Sequence, residues 1–268
     1  MPRVRYWRGH TLKFNMNRLS ICVITLNEEH DLPRLLKSVG GLGDEIVVVD
    51  SGSTDRTVEI ARAAGTRVVT RAFTNYGEQK NFATAQATGD WILLLDADEE
   101  VSEELRASIL KWKSAEPGFR VYEMARRAWF LSGWVRHSRW YPDWQRRLFD
   151  RRAARFAGAI HESLKFKGKV GRLDGDLLHY TVRSLEEQLQ KTEEYSTLIA
   201  KAMFEKGRRD WRAAKWFGSP WTWFHYFVLG AGFLDGYRGF VIARVAAYTV
   251  WLKYSKLGAL IKQAGPQK

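Results

Sequence analysis

An unbroken apolar run that ends in two closely spaced carboxylates is the feature that most constrains the fold of this chain. The run Leu93–Glu99 reads LLLDADE, with a Gly-Asp pair shortly before it. It is typical of a strand buried on both faces, whose end lies at the ligand-binding edge of an α/β sheet. Asp96 and Asp98 at that edge can share Mg²⁺ or Mn²⁺, which implies a metal-bridged nucleotide diphosphate. The alternative is a strand that ends in a solvated acidic turn.

Strands and helices alternate over the N-terminal half of the chain. This spacing predicts a parallel sheet with right-handed crossovers, in which each polar motif falls at the carboxyl end of a strand. We expect Ser53 or Thr54 to cap the second helix. The predicted strands are Leu19–Leu26, Glu45–Asp50, Arg67–Thr70 and Trp91–Leu95, and the predicted helices are Leu32–Val39, a segment around Val58–Ala61, and Gly77–Ala87.

The polar residues after these strands are candidates for binding a nucleotide. Asp50 can accept a hydrogen bond from a ribose hydroxyl or a base N–H, and Lys80 can place a cation near the phosphates. Each has a plainer alternative, since Asp50 with the following Ser-Gly-Ser can form a turn and Lys80 can be a solvated surface residue. Taken together and in order, the motifs favour a binding site.

The motifs TLNE, VVVDSGSTD, QKN and LLLDADE, in this order over residues 19–100, resemble family 2 glycosyltransferases with the GT-A fold. The resemblance implies an inverting transfer of a sugar from a nucleotide donor, usually UDP-linked, with a divalent metal ion. It also implies site residues by position: Thr25, Asn27, Glu28 and Asp50 in the nucleoside pocket, Lys80 and Asp96 facing the nucleotide, and Asp98, with Asp96, as metal ligands.

Residues 126–155 combine nine arginines with interleaved aromatic residues. Arginine forks bind phosphates and aromatic faces stack on sugar rings or bases, although a solvated basic surface or a nucleic-acid site has the same composition. The segment Tyr141–Phe149 (YPDWQRRLF) resembles the lipopolysaccharide-core branch of the family. That resemblance places Gln145 and Arg147 near the acceptor or the diphosphate.

An inverting transfer needs a carboxylate that takes the proton of the acceptor hydroxyl. Glu162 occupies the place where the wider family carries an acidic pair, so it is the first candidate for this base, and Asp143 is the second. His161-Glu162 can alternatively be a structural hydrogen-bonded pair. His179 is a candidate ligand to the metal or the diphosphate, because the resemblance implies a late histidine there, and its alternative is a core residue.

The last third of the chain reads as helical. Ser184–Glu187 is a capping box that begins a packing helix extending to about Gly207. Tryptophans among arginines and lysines follow at 208–223, a composition typical of a membrane interface. Residues 224–252 are strongly apolar, broken by charged residues, and form either a hydrophobic hairpin against the bilayer or the core of a helical appendage. Part of this region again resembles the lipopolysaccharide-core branch.

These patterns predict a basic lead-in at 1–18, a GT-A domain at 19–183 with a nucleotide-binding half (19–100) and an acceptor half (101–183), and a membrane-associating helical region at 184–268. The 43 Lys and Arg against 30 Asp and Glu give a net charge of +13, which favours an anionic partner. The single Cys22 fits a reducing compartment, and residues 1–18 lack the apolar core of a signal peptide. We therefore expect a cytoplasmic protein, peripheral to the inner membrane.

The predicted function is an inverting, metal-assisted transfer of a hexose from a UDP-sugar, UDP-glucose first, to a glycolipid such as the lipopolysaccharide inner core. The predicted cofactor is Mg²⁺ or Mn²⁺, and the predicted partners are the donor, the glycolipid and an anionic membrane surface. A polyprenyl phosphate acceptor is the alternative within the same chemistry. A basic nucleic-acid-binding or scaffold protein is the non-enzyme alternative, and it leaves Asp50, Asp96 and Asp98 unexplained, so nucleic acid is not an expected partner.

Overall fold

The structure is a computed structural model that describes residues 17–158 and 162–265. Most of the predicted lead-in, and His161 of the His-Glu pair, lie outside the described residues. The described chain divides into two compact units. The first contains the residues up to Asp96, Glu103–Glu123 and Arg146–Leu173, and the second contains Ala97–Ser102, Met124–Gln145 and the residues from Asp174 onward. The predicted domains, 19–183 and 184–268, are continuous in sequence, whereas each of these units combines several stretches of the chain. The predicted domain boundaries stay a prediction.

The first unit is an alternating α/β structure. Its elements are β1 (Leu19–Thr25), α1 (Leu32–Val39), β2 (Glu45–Asp50), α2 (Thr57–Ala63), β3 (Arg67–Thr70), α3 (Tyr76–Gln86), β4 (Trp91–Asp96) and α4 (Glu103–Lys113), together with β9 (Ala154–Ala157), β10 (Ser163–Phe166) and the end of β8 (Asp143–Asp150). The strand order is β3-β2-β1-β4-β8, with the first four strands parallel and β8 antiparallel to β4. This confirms the predicted α/β class with a mostly parallel nucleotide-binding half.

The apolar runs form the core of this unit because they are covered on both faces. Leu93, Leu94 and Leu95 of β4 are fully buried, as the run of three leucines predicts. Cys22 lies in the same core, and burial raises the pKa of its thiol to about 12. The Cys22 thiol is therefore a packing group, which fits its position inside β1.

The second unit contains strands followed by helices. It contains β5 (Glu99–Val101), most of β6 (Val121–Phe130), β7 (Gly133–Trp134), the start of β8 and most of β11 (Val170–Val182). β11 lies between β6 and β5 in the strand order, β5 is antiparallel to β11, and β7 is antiparallel to β6. Tyr180 of β11, the residue after His179, packs against Trp129 and Trp134.

The second unit ends in helices. They are α5 (Leu185–Glu205), α6 (Trp211–Phe224), one π-helical turn (His225–Leu229), one 3₁₀ turn (Gly232–Asp235) and α7 (Tyr237–Gln263). The predicted capping box is confirmed, since the Ser184 side chain accepts a hydrogen bond from the Glu187 amide at 3.1 Å. Within the described residues, no helix combines the length and apolar character needed to cross a membrane.

One sequence prediction about these elements needs correction. The second helix is not capped by Ser53 or Thr54, because it begins at Thr57 after Arg56, without a side-chain cap. Ser53 and Thr54 contact Asn27 instead. In residues 224–252, Val241 and Ile242 of α7 are buried and Phe240 is 43% exposed, and the two alternatives for this segment, a membrane-facing hairpin or a helical core, stay predictions.

Candidate functional site

Three predicted site residues meet at the carboxyl edge of the parallel sheet in the first unit. Thr25 pairs with Asp50 in the β1–β2 register, and Ile24 pairs with Asp96 in the β1–β4 register. The parallel order therefore brings the ends of β1, β2 and β4 side by side, where α/β proteins bind ligands. The buried hydroxyl oxygen of Thr25 has no hydrogen-bond partner among the described residues, which marks a polar group at this edge that is available to a ligand.

Asp50 and Asn27 organise the two loops that leave this edge. Asp50 is almost fully buried and accepts hydrogen bonds from the amides of Gly52 and Ser53 at 2.9 and 3.0 Å. Asn27 has a positive φ of 55°, and its side-chain oxygen accepts from the Thr54 amide at 2.8 Å. The turn expected as the plain alternative for Asp50 is thus present. Its carboxylate shapes the loop whether or not it also binds a nucleoside.

Four charged side chains cluster beyond the end of β4. The Lys80 ammonium lies 2.9 Å from Glu162 and 3.5 Å from Asp96, and the Arg147 guanidinium is hydrogen-bonded to the other oxygen of Asp96. Lys80 and Arg147 are 6% and 4% exposed, so both cations are held in the interior. Buried cations next to a ligand-binding edge are suited to a diphosphate, because desolvation strengthens their attraction to phosphate oxygens. Arg147, predicted near the acceptor or diphosphate, lies in this cluster.

Asp98 and His179 meet in the second unit. The His179 Nε2 atom lies 3.0 Å from Asp98 Oδ2, and the Thr181 hydroxyl lies 2.9 Å from His179 Nδ1. The pairing of β5 with β11 produces this contact, because it sets His179 opposite Glu99. A histidine that is oriented through its second ring nitrogen is the usual arrangement of a metal ligand.

The Asp98 carboxylate and the His179 imidazole are candidate ligands to a divalent ion that would also bind a substrate. Among the residues that the structure describes, no group of three or more His, Cys, Asp or Glu side chains could hold a metal ion. Mg²⁺ in proteins is commonly held by one or two carboxylates and keeps its other coordination positions for phosphate oxygens and water, so the Asp98 carboxylate is the better matched of the two candidate ligands. Asp96, the other predicted ligand, pairs with Lys80 and Arg147.

Asp143 and Gln145 lie together at the start of β8. Arg126 holds Asp143 through two nitrogens at 2.9 and 2.7 Å, and the Gln145 amide donates to Asp143 at 2.8 Å. Arg126 also lies 3.6 Å from Glu99. Asp143, Arg126 and His179 line one cavity of about 370 Å³, a volume that accommodates a small ligand.

Sequence reasoning did not single out Arg126 or Arg139, which line this cavity, or Asp235, which supports the cavity's loop. The density of arginines at 126–155 was a signal, but it did not separate these two from surface arginines. Asp235 interrupts an apolar segment, and a lone carboxylate there was a sign of a buried structural role.

Comparisons with known proteins identify the family of this chain. Residues 20–164 match the model of the Glycosyl transferase family 2. An uncharacterized glycosyltransferase of Rickettsia typhi is 31% identical over 91% of this chain and 88% of its own length. The lipopolysaccharide core biosynthesis glycosyltransferase LpsC of Rhizobium meliloti is 30% identical over 88% of this chain and 93% of its own length.

A crystal structure of S. aureus TarS 1-349 overlaps with a TM-score of 0.47 at 16% identity, over 94% of this chain and 93% of that one. The family match spans more than half of the chain, and the two relatives extend over nearly all of it. This chain belongs to glycosyl transferase family 2 and is a glycosyltransferase.

Proposed function

We propose that the protein transfers a hexose from a UDP-sugar to a glycolipid of the lipopolysaccharide-core type, with inversion at the anomeric carbon. The observation that carries the donor assignment is the buried cluster at the end of β4, where Lys80 and Arg147 meet Asp96. The name of the LpsC relative supports the acceptor class. A polyprenyl phosphate acceptor stays the alternative.

The two buried cations hold the donor through its diphosphate. Arg147 offers a planar fork and Lys80 a point charge, and both have carboxylate partners that keep them in place without a ligand. Asp98 and His179 would hold a divalent ion, which supplies charge neutralisation to the departing diphosphate. In the sequence, Ala97 alone separates Asp98 from Asp96.

Glu162 acts as the base in this proposal. As the acceptor oxygen bonds to the anomeric carbon, its proton passes to the Glu162 carboxylate, and the bond between that carbon and the UDP diphosphate breaks. The Lys80 contact at 2.9 Å orients the carboxylate. A donor diphosphate that attracts Lys80 weakens this contact, which leaves Glu162 able to accept the proton.

The C-terminal helices provide the surface for a membrane-embedded acceptor. Large apolar side chains are exposed on α6 and on the turns after it, with Trp216 at 65% and Phe217 at 77% exposure. The Lys215 ammonium lies 5.0 Å from the ring centre of Trp216, so cationic and aromatic groups alternate on this surface. Exposed aromatics beside basic residues fit the interface of an anionic bilayer.

The testing experiment is calorimetric titration of the purified protein with UDP, and separately with GDP, in the presence and absence of Mn²⁺. We expect UDP binding that requires Mn²⁺ and that is lost in Asp98→Asn. Asp90→Asn is the matched control, because Asp90 is exposed and lies just before the amino end of β4, whereas Asp98 follows its carboxyl end. It should bind UDP as the wild type does.

Absence of nucleotide binding by the wild type would overturn the donor assignment. If the protein bound GDP more tightly than UDP in the presence of Mn²⁺, the donor would be a GDP-sugar rather than a UDP-sugar. Equal UDP binding by Asp98→Asn and the wild type would remove Asp98 from the metal site.

A further inference from the structure

We propose that Arg139 binds an anionic group of the acceptor, a phosphate or a carboxylate, in the cavity that Asp143 and His179 line. The assignment rests on the proposed transferase function and adds the chemical class that the acceptor must carry. Its basis is the juxtaposition, within the second unit, of a cavity, an uncompensated guanidinium and a loop built to hold that guanidinium in place.

The charges that line the cavity leave Arg139 without a counter-ion. Arg126 is neutralised by Asp143 and Glu99. The Arg139 side chain has no ion pair or hydrogen bond with any of the residues described at 17–158 and 162–265. An unpaired guanidinium with a planar fork is the group that recognises phosphate or carboxylate through two parallel hydrogen bonds.

The loop that carries Arg139 has an unfavourable backbone conformation. Ser138 and Arg139 have φ values of 58° and 60°, in the left-handed region that side chains other than glycine rarely adopt. Two consecutive residues of this kind persist only where the surroundings enforce them, and such residues cluster at ligand clamps.

A buried carboxylate enforces this conformation. Asp235, 7% exposed, accepts hydrogen bonds from the amides of Arg136 and His137 at 3.1 and 2.9 Å. The Ser138 amide in turn donates to the Gly230 carbonyl at 2.8 Å. Asp235 is thus a positioning residue that acts through the loop, and it presents Arg139 to the cavity.

Two glycines allow the close approach of the loop. A Cβ at Gly230 would lie 2.9 Å from Arg139 Cγ, and a Cβ at Gly232 would lie 2.8 Å from Ser138 Oγ. The segment Gly230–Asp235 therefore supports the Arg139 loop by backbone contact as well as by the Asp235 carboxylate. Trp140, next in the chain, lines the same cavity and packs edge-to-face against Phe130.

The test uses the full chain and glucose 6-phosphate as the probe, with binding followed by saturation-transfer NMR. We expect Arg139→Ala to bind the probe about tenfold more weakly than the wild type, or worse, because a charge-assisted bidentate contact is lost. Arg139→Lys, which keeps the charge, should recover part of the affinity. Arg136→Ala is the matched control, since Arg136 is an exposed arginine of the same loop that does not line the cavity.

UDP binding with Mn²⁺ is measured on the same variants to separate the acceptor anion from the donor diphosphate. Unchanged UDP affinity in Arg139→Ala, together with weakened probe binding, supports the proposal and shows that the variant is folded. The proposal is overturned if the wild type does not bind the probe, if Arg139→Ala binds it normally, if Arg136→Ala loses it equally, or if UDP affinity falls in parallel.

The UDP titration tests the donor assignment independently of the probe titration, which tests Arg139. If UDP does not bind to the wild type, the proposed transferase function fails, whereas the probe titration still reports on Arg139.

Discussion

Glu162 and Asp143, the two carboxylates considered for the base, have different partners. Glu162 contacts the buried Lys80, whereas Asp143 is held by Arg126 and Gln145. Lys80 can leave Glu162 and bind a donor phosphate instead, because the Lys80 ammonium also lies next to Asp96 at the nucleotide-binding edge. Arg126, the partner of Asp143, lies next to Glu99. At the residue scale, this difference favours Glu162.

We expect Glu162→Gln to bind UDP with unchanged affinity and to lose roughly 10²–10⁴-fold in kcat, because the amide cannot take up a proton. The measurement is UDP release from a UDP-sugar in the presence of lipopolysaccharide acceptor, with calorimetric UDP binding on the same preparation. Asp143→Asn is the comparison variant. A loss below about tenfold in Glu162→Gln, with a large loss in Asp143→Asn, would move the role of base to Asp143.

Glu45 makes the stability of the first unit depend on pH. Burial alone would raise the pKa of this carboxyl, but hydrogen bonds from the Ser20 hydroxyl and from Thr88 outweigh burial and hold its pKa at about 2. The ordinary value is 4.5, so the folded state favours the ionised form. Its contribution is therefore fully present above about pH 4.5 and is lost as the pH falls toward 2.

We expect Glu45→Gln to lower the thermal midpoint at pH 7, by an amount that corresponds to about 3 kcal/mol or less. The difference between wild type and variant should shrink between pH 4.5 and pH 2, where the wild type loses the advantage of its carboxylate. Melting curves of both proteins at pH 7, 5 and 3 measure this. A pH-independent difference would show that the loss comes from packing rather than from the charge.

At the scale of elements, the start of α3 lies close to Gly158 and Glu162. The Asn75 side chain caps this helix by accepting from the Glu78 amide at 2.9 Å. In the first turn, a Cβ at Gly77 would lie 2.8 Å from the Gly158 carbonyl oxygen and 3.5 Å from the Glu162 Cβ. Glycine at this position therefore allows Gly158 and Glu162 to lie close to the helix that supplies Lys80.

We expect Gly77→Ala to fold but to lose roughly tenfold to 10²-fold in kcat, because a displaced base is misaligned with the acceptor hydroxyl. Steady-state kinetics and UDP titration on the same variant separate a catalytic defect from lost donor binding. Gly118→Ala is the matched control, since a Cβ there meets no atom within 4 Å. A kcat equal to that of the wild type in Gly77→Ala would show that the close contact at Gly77 is not needed for catalysis.

At the scale of the whole molecule, charge and exposed apolar surface act together. We expect the net charge of +13 to attract anionic surfaces, an attraction that salt weakens, and the exposed aromatic side chains of α6 to add apolar contact. Neither contribution requires a spanning helix. Adsorption to an anionic bilayer is the behaviour that this combination favours.

We expect the full chain to sediment with vesicles that contain phosphatidylglycerol and to dissociate as salt increases. The double variant Trp216→Ser/Phe217→Ser should bind about tenfold more weakly or worse, because two exposed aromatic side chains no longer enter the interface. Phe73→Ser, an exposed phenylalanine of the first unit at 45% exposure, is the control. Salt-independent binding would point to insertion by the apolar segment, and unaltered binding by the double variant would exclude α6 as the contact.

Local patterns in the sequence determined much of the first unit. The strands Glu45–Asp50 and Arg67–Thr70 and the helix Leu32–Val39 have the predicted bounds, because alternation and apolar runs between turn residues are properties of adjacent residues. Ser184 was likewise recognisable as a cap from its neighbours alone. The order of the four motifs was enough to indicate the family, which the family match confirms.

Tertiary structure decided which of these residues act together. Lys80 and Glu162 are 82 positions apart, and Asp235 supports the loop of His137 from 98 positions away. No local pattern encodes such pairs, because they depend on strand order and on loops that close over long stretches of chain. The predicted cap of α2 was wrong for the same reason, because Ser53 and Thr54 form hydrogen bonds with Asn27, which lies in a different loop. The sequence determined the elements and the family, and the folded chain determined the partners of its charged groups.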